Sequence, residues 1–200
     1  SLDLALGAKK RGITTIGIED VTGFPEMLDG RVKTLHPVIH GGLLALRDKP
    51  SHVEAITKAG IKYIDLVCVN LYPFSETIAK PNISFDDAIE QIDIGGPSML
   101  RSAAKNYRYV TAVCDINDYE AIIKEIKENQ DTSLETKKRL SAKVFAHTAH
   151  YDSIIANYLS TEDICGKKTI AGKQFLEMRY GENPHQQAAL YQTNNNQYSV

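Results

Sequence analysis

The chain has no CxxC pair, and its three cysteines, Cys68, Cys114 and Cys165, are scattered. That spacing argues against a disulfide framework and against a structural zinc site, and it fits a reducing compartment. A basic excess is missing too: 23 Lys and Arg stand against 25 Asp and Glu, for a formal net charge of −2. Overall charge therefore gives no support for nucleic acid or an anionic membrane as partner. No apolar run is long enough to cross a bilayer, and the first residues carry no signal-peptide pattern. These absences predict a cytoplasmic protein. With 200 residues, the chain suits one domain plus an appendage, enough to bury about two thirds of the surface its unfolded form exposes.

What is present alternates between helical and strand patterns. Leucines and alanines recur at helical spacing up to Arg11, with Gly12 as the stop, and Ile13 to Ile18 reads as a short strand. Glu19 to Pro37 is a long irregular stretch, of a length that is uncommon unless functional. A helix is predicted from Ser51 to Ala59. Ile64 to Asn70 is a nearly continuous run of β-formers, predicted as a strand buried on both faces, and Tyr109 to Cys114 is a second. Ser84 caps a predicted helix to Ile92, and Asn117 one through Glu128. Thr132 opens a long helix whose apolar stripe is Leu140, Val144, His147 or Thr148, Tyr151, Ile155 and Tyr158. Strands alternating with helices predict an α/β, doubly wound sheet. Beyond Leu159 the pattern weakens, Cys165 to Lys173 reads as a linker, and the polar end cannot form a core alone.

The chemistry concentrates at Ile92-Asp-Ile-Gly-Gly-Pro-Ser-Met-Leu-Arg-Ser-Ala-Ala-Lys-Asn106. Gly95 and Gly96 allow a tight turn, Pro97 fits the first helical position, and the helix-start N–H groups then face an anion. Asp93 precedes the turn, while Arg101 and Lys105 share one helix face. A desolvated lysine beside a fixed carboxylate can move protons near neutral pH, although Lys105 lies about 12 Å along the helix from Pro97. Asn70 and Tyr72 follow a strand end, where open α/β sheets bind ligands. Arg31, Lys33 and Thr34 share one loop and could hold phosphate. A capped surface helix and a solvated basic loop are the plainer readings of the same residues. His36 and His40 have the spacing of a helical metal pair, but Pro37 opposes a regular helix through both and no nearby carboxylate or cysteine completes a zinc set; no metal is assigned.

Gly30-Arg-Val-Lys-Thr-Leu-His-Pro37, Asn70-Leu-Tyr-Pro-Phe74, Ile92-Asp-Ile-Gly-Gly96, Ala103-Ala-Lys-Asn106, Ala146-His-Thr-Ala149 and Arg179-Tyr-Gly-Glu-Asn-Pro-His-Gln186 together resemble, in order, the bifunctional purine-biosynthesis enzymes. That family joins an IMP cyclohydrolase domain to an AICAR transformylase domain. The resemblance implies a methylglyoxal-synthase-like fold, a three-layer α/β/α arrangement with a mostly parallel sheet. It would divide the chain into a cyclohydrolase domain over 1–170 and a linker with the start of the transformylase over 171–200. The implied reaction closes 5-formamidoimidazole-4-carboxamide ribotide (FAICAR) to IMP with loss of water, using no metal or organic cofactor. By motif match Lys33, Tyr72, Asp93 and Lys105 stand at catalytic positions. Arg31 and Thr34 match the phosphate side, Asn70, Ile94, Gly95 and Gly96 the base side. Arg179 and Tyr180 match nucleotide contacts of the transformylase, whose cofactor would be 10-formyltetrahydrofolate. A homodimer is implied for the intact enzyme.

Two departures accompany the resemblance. The family's first strand and its Ser-Gly-Gly-Thr phosphate loop have no counterpart here, since Ser1-Leu-Asp-Leu4 stands where the loop belongs. The rest of the transformylase domain is also absent, so formyl transfer is not expected of this chain. Two rivals therefore remain: a non-catalytic, nucleotide-sensing module of the same fold, and a folded but inactive fragment.

Overall fold

In the computed structural model, which describes residues 7–160, 166–179, 181–183 and 185–193, two short strands run side by side in the same direction. β1 (Leu66–Cys68) pairs with β2 (Thr111–Val113), placing Leu66 opposite Thr111, Val67 opposite Ala112 and Cys68 opposite Val113. Parallel neighbours need a crossover of a dozen or more residues, usually helical. The intervening chain holds α4 (Phe74–Ile78), α5 (Phe85–Glu90) and α6 (Gly95–Lys105). Before β1 come α1 (Ile18–Thr22), α2 (Pro37–Leu44) and α3 (Pro50–Lys58), and after β2 come α7 (Tyr119–Asn129) and the long α8 (Leu134–Leu159). An antiparallel hairpin follows, β3 (Gly172–Met178) with β4 (Ala188–Thr193). The α/β class with a parallel sheet is present as read from the sequence.

The chain divides into two units, one of residues 1–71 and 93–145, the other of 72–92 and 146–200. In the first, α6 buries Leu100, Ala103 and Ala104 with Ile39 and Leu43 of α2, Val67, Val110, Ala112 and Val144. The two alanines bring the helix backbone close to the strands, and Gly42 is tighter still: a Cβ there would sit 2.5 Å from the Lys62 carbonyl oxygen. Asn106, buried at the end of α6, donates its side-chain amide to the carbonyls of Leu43 (2.7 Å) and Ala45 (3.1 Å). It satisfies carbonyls at the end of α2 that no helix hydrogen bond can reach. In the second unit Phe74 packs edge-on against Tyr151 and Tyr158, Phe85 stacks on Tyr158, and the Tyr151 hydroxyl donates to the Gln91 carbonyl. All of β3 is exposed.

Several sequence expectations change. Residues 13–17 form no strand, and Ile13 and Ile16 are exposed. β-formers need a partner ladder to hold an extended backbone, and among the described residues none pairs with them. The expected Ile64 to Asn70 strand shortens to three residues and is buried on one face only, with Val67 inside and Leu66 and Cys68 outside. The loop from Glu19 to Pro37 has structure of its own: α1, a bridge between Met27 and Val32, and a 3-10 turn over Leu28–Gly30. Pro97 is the third helical residue rather than the first, because α6 starts at Gly95. Pro37 does open α2, with the His36 ring accepting the Val38 N–H as cap. Asp115, not Asn117, caps the turn before α7, and Ser133 caps α8. On α8 the inward residue is Thr148 rather than His147.

Candidate functional site

The start of α6 is held by its own acid. Asp93 Oδ1 accepts the Gly96 N–H at 2.8 Å, which places a carboxylate on the positive end of the helix. Glycine permits this close approach, because a Cβ on residue 96 would lie 2.5 Å from Asp93 Oδ2 and the carboxylate would have to move. Pro97 has no N–H to give, and the Ser98 N–H bonds the Ile94 carbonyl at 3.3 Å. Among the described residues this leaves the Gly95 N–H as the open donor of the first turn. Thr34 reaches the same point: its hydroxyl oxygen is 2.6 Å from where a Gly95 Cβ would stand. The corner thus offers carboxylate oxygens, one backbone N–H and one hydroxyl. That set matches an amide, which gives a proton and accepts one, better than a phosphate, which only accepts.

The cations lie elsewhere. Lys33 bonds Glu26 at 2.5 Å and Glu19 at 3.5 Å. The hydrogen bond it donates to Glu26 holds its ammonium above the ordinary lysine value against desolvation, with Glu19 adding to the effect. A phosphate approaching Lys33 would have to displace a carboxylate. Arg31 is exposed on the same loop. Lys105, at the last turn of α6, is about 15 Å from Gly95 by helix rise. It lines a cleft of about 450 Å³ with Arg101, Ser102, Tyr107, Ser141 and Phe145, where the Arg101 guanidinium lies 5.3 Å from the centre of the Phe145 ring. Asp93 and Lys105 therefore sit at opposite ends of one helix.

Asn70, just past β1, is exposed and accepts the Tyr119 hydroxyl through Oδ1 at 3.3 Å. Ile94 points to solvent. Tyr72 and Arg179 belong to the second unit and are both exposed; Tyr180 lies outside the described residues. No three His, Cys, Asp or Glu side chains gather among the described residues. His36 caps α2, and His40 Nδ1 is 2.9 Å from the Ser102 hydroxyl.

Two family models match the chain, the MGS-like domain over residues 8–98 and the AICARFT/IMPCHase bienzyme over 103–200. The bifunctional purine biosynthesis protein PurH of Enterococcus faecalis is 60% identical over 188 residues, 92% of this chain and 37% of that protein. PurH of Listeria welshimeri is 60% identical over 186 residues, 92% and 36% of the two chains. The crystal structure of ForH superposes with a TM-score of 0.68 at 34% identity, over 76% of this chain and 79% of that one. The chain belongs to the AICARFT/IMPCHase bienzyme family. It spans just over a third of the length of the curated relatives it matches.

Within this family frame, three features of the site escaped the sequence. Glu19 and Glu26 claim Lys33, a contact made by a folded loop and not by any spacing. Tyr119 claims Asn70 across 49 residues. Asn106, quoted only as part of a motif, ties α6 to α2; an Asn directly after a helical run was the available signal for a helix stop.

Proposed function

We propose that this chain carries the ring-closing half of its bifunctional family: IMP cyclohydrolase, converting FAICAR to IMP and water. Family membership supports the reading, and one observation carries it. The 30–37 loop, through Thr34, meets the Asp93-Gly95-Gly96 turn, so two motifs distant in sequence form one amide-matching corner. In the reaction the carboxamide nitrogen attacks the formyl carbon and gives up one proton, the formyl oxygen becomes a carbinol hydroxyl, and that hydroxyl leaves as water once protonated, while the former formamide nitrogen loses its proton as the ring C=N bond forms. The balance needs no co-substrate, since every atom lost comes from the substrate. Asp93 orients the carboxamide and takes its proton, while Gly95 and Thr34 hold the oxygen opposite. Fixing both reacting groups in one place removes most of the orientational cost. Tyr72 is assigned to the departing oxygen, Asn70 and Ile94 to the base, and Arg31 and Lys33 to the phosphate; Lys105, about 15 Å along α6 from Gly95, joins Tyr72 at that oxygen only if its side chain is brought back toward the Asp93 corner. The reading extends to a cytoplasmic, homodimeric intact enzyme. It places the cyclohydrolase domain before residue 170, and gives Arg179, Tyr180 and 10-formyltetrahydrofolate to the transformylase side.

A second reading, nucleotide binding without turnover, is favoured by the pairing of Lys33 with two glutamates and by the separation of Lys105 from Asp93. Ultraviolet assay of IMP formation from FAICAR, with calorimetric titration of IMP, separates the two. Asp93→Asn is expected to lower kcat by about 100-fold or more, the usual range for a general base, with the fold retained. Turnover unchanged in both Asp93→Asn and Lys105→Ala would overturn the assignment. IMP binding with no turnover in the unaltered chain would establish the second reading, and a folded chain that does neither is an inactive fragment.

A further inference from the structure

Beyond the end of β1 a short relay of neutral hydrogen bonds ends on Asn70. The Cys68 thiol donates to the Tyr119 hydroxyl at 3.2 Å, and that hydroxyl donates to Asn70 Oδ1 at 3.3 Å. Tyr119 opens α7 directly after the 3-10 turn Ile116–Asp118 that follows β2. The parallel pairing of β1 and β2 is what brings it to Asn70. Its ring packs on the cluster of Val113, Ile122 and Leu140, so the hydroxyl is carried by a fixed body, whereas Asn70 itself is exposed on a loop. A primary amide presents an acceptor on one side and two donors on the other. Occupying Oδ1 decides which side is left.

We propose that Tyr119 is a positioning residue, which turns the Asn70 amide so that it offers N–H donors, and not its carbonyl, to a hydrogen-bond acceptor on the heterocyclic base of the nucleotide. The proposal rests on the reading above that Asn70 faces substrate. The ligand atom it specifies is an unprotonated ring nitrogen or a carboxamide oxygen.

The test uses the full chain with Tyr119→Phe, Asn70→Ala and the double variant, reading IMP affinity by calorimetry and the Asn70 side-chain NH₂ signals by NMR. Tyr119→Phe is expected to weaken IMP about fivefold, the size of one weak hydrogen bond. It should also shift the Asn70 amide pair, leave the melting temperature in place, and add nothing on the Asn70→Ala background. Where FAICAR turns over, the loss should fall on KM and spare kcat. Equal loss on both backgrounds, or unmoved amide signals, overturns the positioning role. If the signals move but Asn70→Ala binds IMP unchanged, the Asn70 assignment to substrate is what fails, and the donor role fails with it.

Discussion

β1 and β2 are parallel neighbours of three residues each, yet the chain leaves them in opposite settings. Residues 110–114 are all buried, and the turn after them is ionic: Asp118 bonds Arg139 at 2.9 Å and Lys143 at 2.5 Å, while Asp115 bonds Lys143 at 2.7 Å. The end of β1 is half open and neutral, a thiol, a phenol and an amide joined by bonds longer than 3 Å. Charges committed to one another hold a structure and are costly to redirect, whereas weakly joined neutral groups on an open edge can accept a ligand. The β2 end is therefore where stability resides, and the β1 end is where binding is cheap to evolve.

The largest effect that can break this contrast is Asp118→Ala. The Asp118 side chain is 9% exposed, and removing it takes this partner from Arg139 and leaves Lys143 with Asp115 alone, a change expected to cost about 2–3 kcal/mol in urea unfolding. A loss no greater than that of Asn70→Ala would abolish the contrast. The same cluster sets the acid limit. Burial works to raise the Asp118 carboxyl, but hydrogen bonds from Lys143 and Arg139 overcome it and hold the group below its usual range. Asp115 is held down in the same direction by its Lys143 bond. A depressed folded value means the stabilisation is complete above the unfolded carboxylate value and disappears as pH falls through the folded one. Melting temperature should thus be flat near neutrality and drop below about pH 4, with a shallower drop in Asp118→Asn.

Next in size is Thr111→Val, in β2 itself. The Thr111 and Thr132 hydroxyls are 2.6 Å apart and both buried. The variant leaves Thr132 without its partner, at an expected cost of about 1–2 kcal/mol. Asn70→Ala, at the open end, should stay within about 0.5 kcal/mol of the unaltered chain while weakening nucleotide binding. Equal unfolding costs for the two would erase the distinction drawn between the strands.

The legible parts of this molecule were those that local pattern determines. Tyr109 to Cys114 read as a buried strand, and although the strand itself narrows to Thr111–Val113 and Tyr109 is half-buried, residues 110–114 are buried as their composition suggests. Ser84 and Gly12 read as helix ends because capping is a matter of one or two neighbours. Ile64 to Asn70 looked similar in its apolar run, but which face of a strand is covered depends on elements far away in sequence, so its exposure could not be read. The same limit applies at the site. The motifs singled out Asp93, Thr34 and Gly95, but they put Thr34 on the phosphate side, and nothing in their spacing tells that Thr34 meets Gly95, that Asp93 caps Gly96 or that Glu19 and Glu26 occupy Lys33. A lysine in a basic-looking loop is a phosphate ligand or half of an ion pair according to where two glutamates fold.

The smallest expected effect is also the most direct probe of the two strand ends, because each carries a cysteine. Cys68 is exposed, whereas Cys114 is buried and burial pushes its thiol up to about 11. Only the thiolate reacts with an alkylating reagent, so at pH 8 Cys114 is protected twice, by access and by protonation. Iodoacetamide labelling followed by peptide mapping should modify Cys68 and leave Cys114 intact in the folded chain, and modify both in urea. Replacing Cys68 by Ser should cost no more than about 0.5 kcal/mol, since its hydroxyl still donates to Tyr119. Comparable labelling of Cys114 in the folded chain would mean that the β2 end opens as readily as the β1 end. Its ion pairs would then not be what holds it shut.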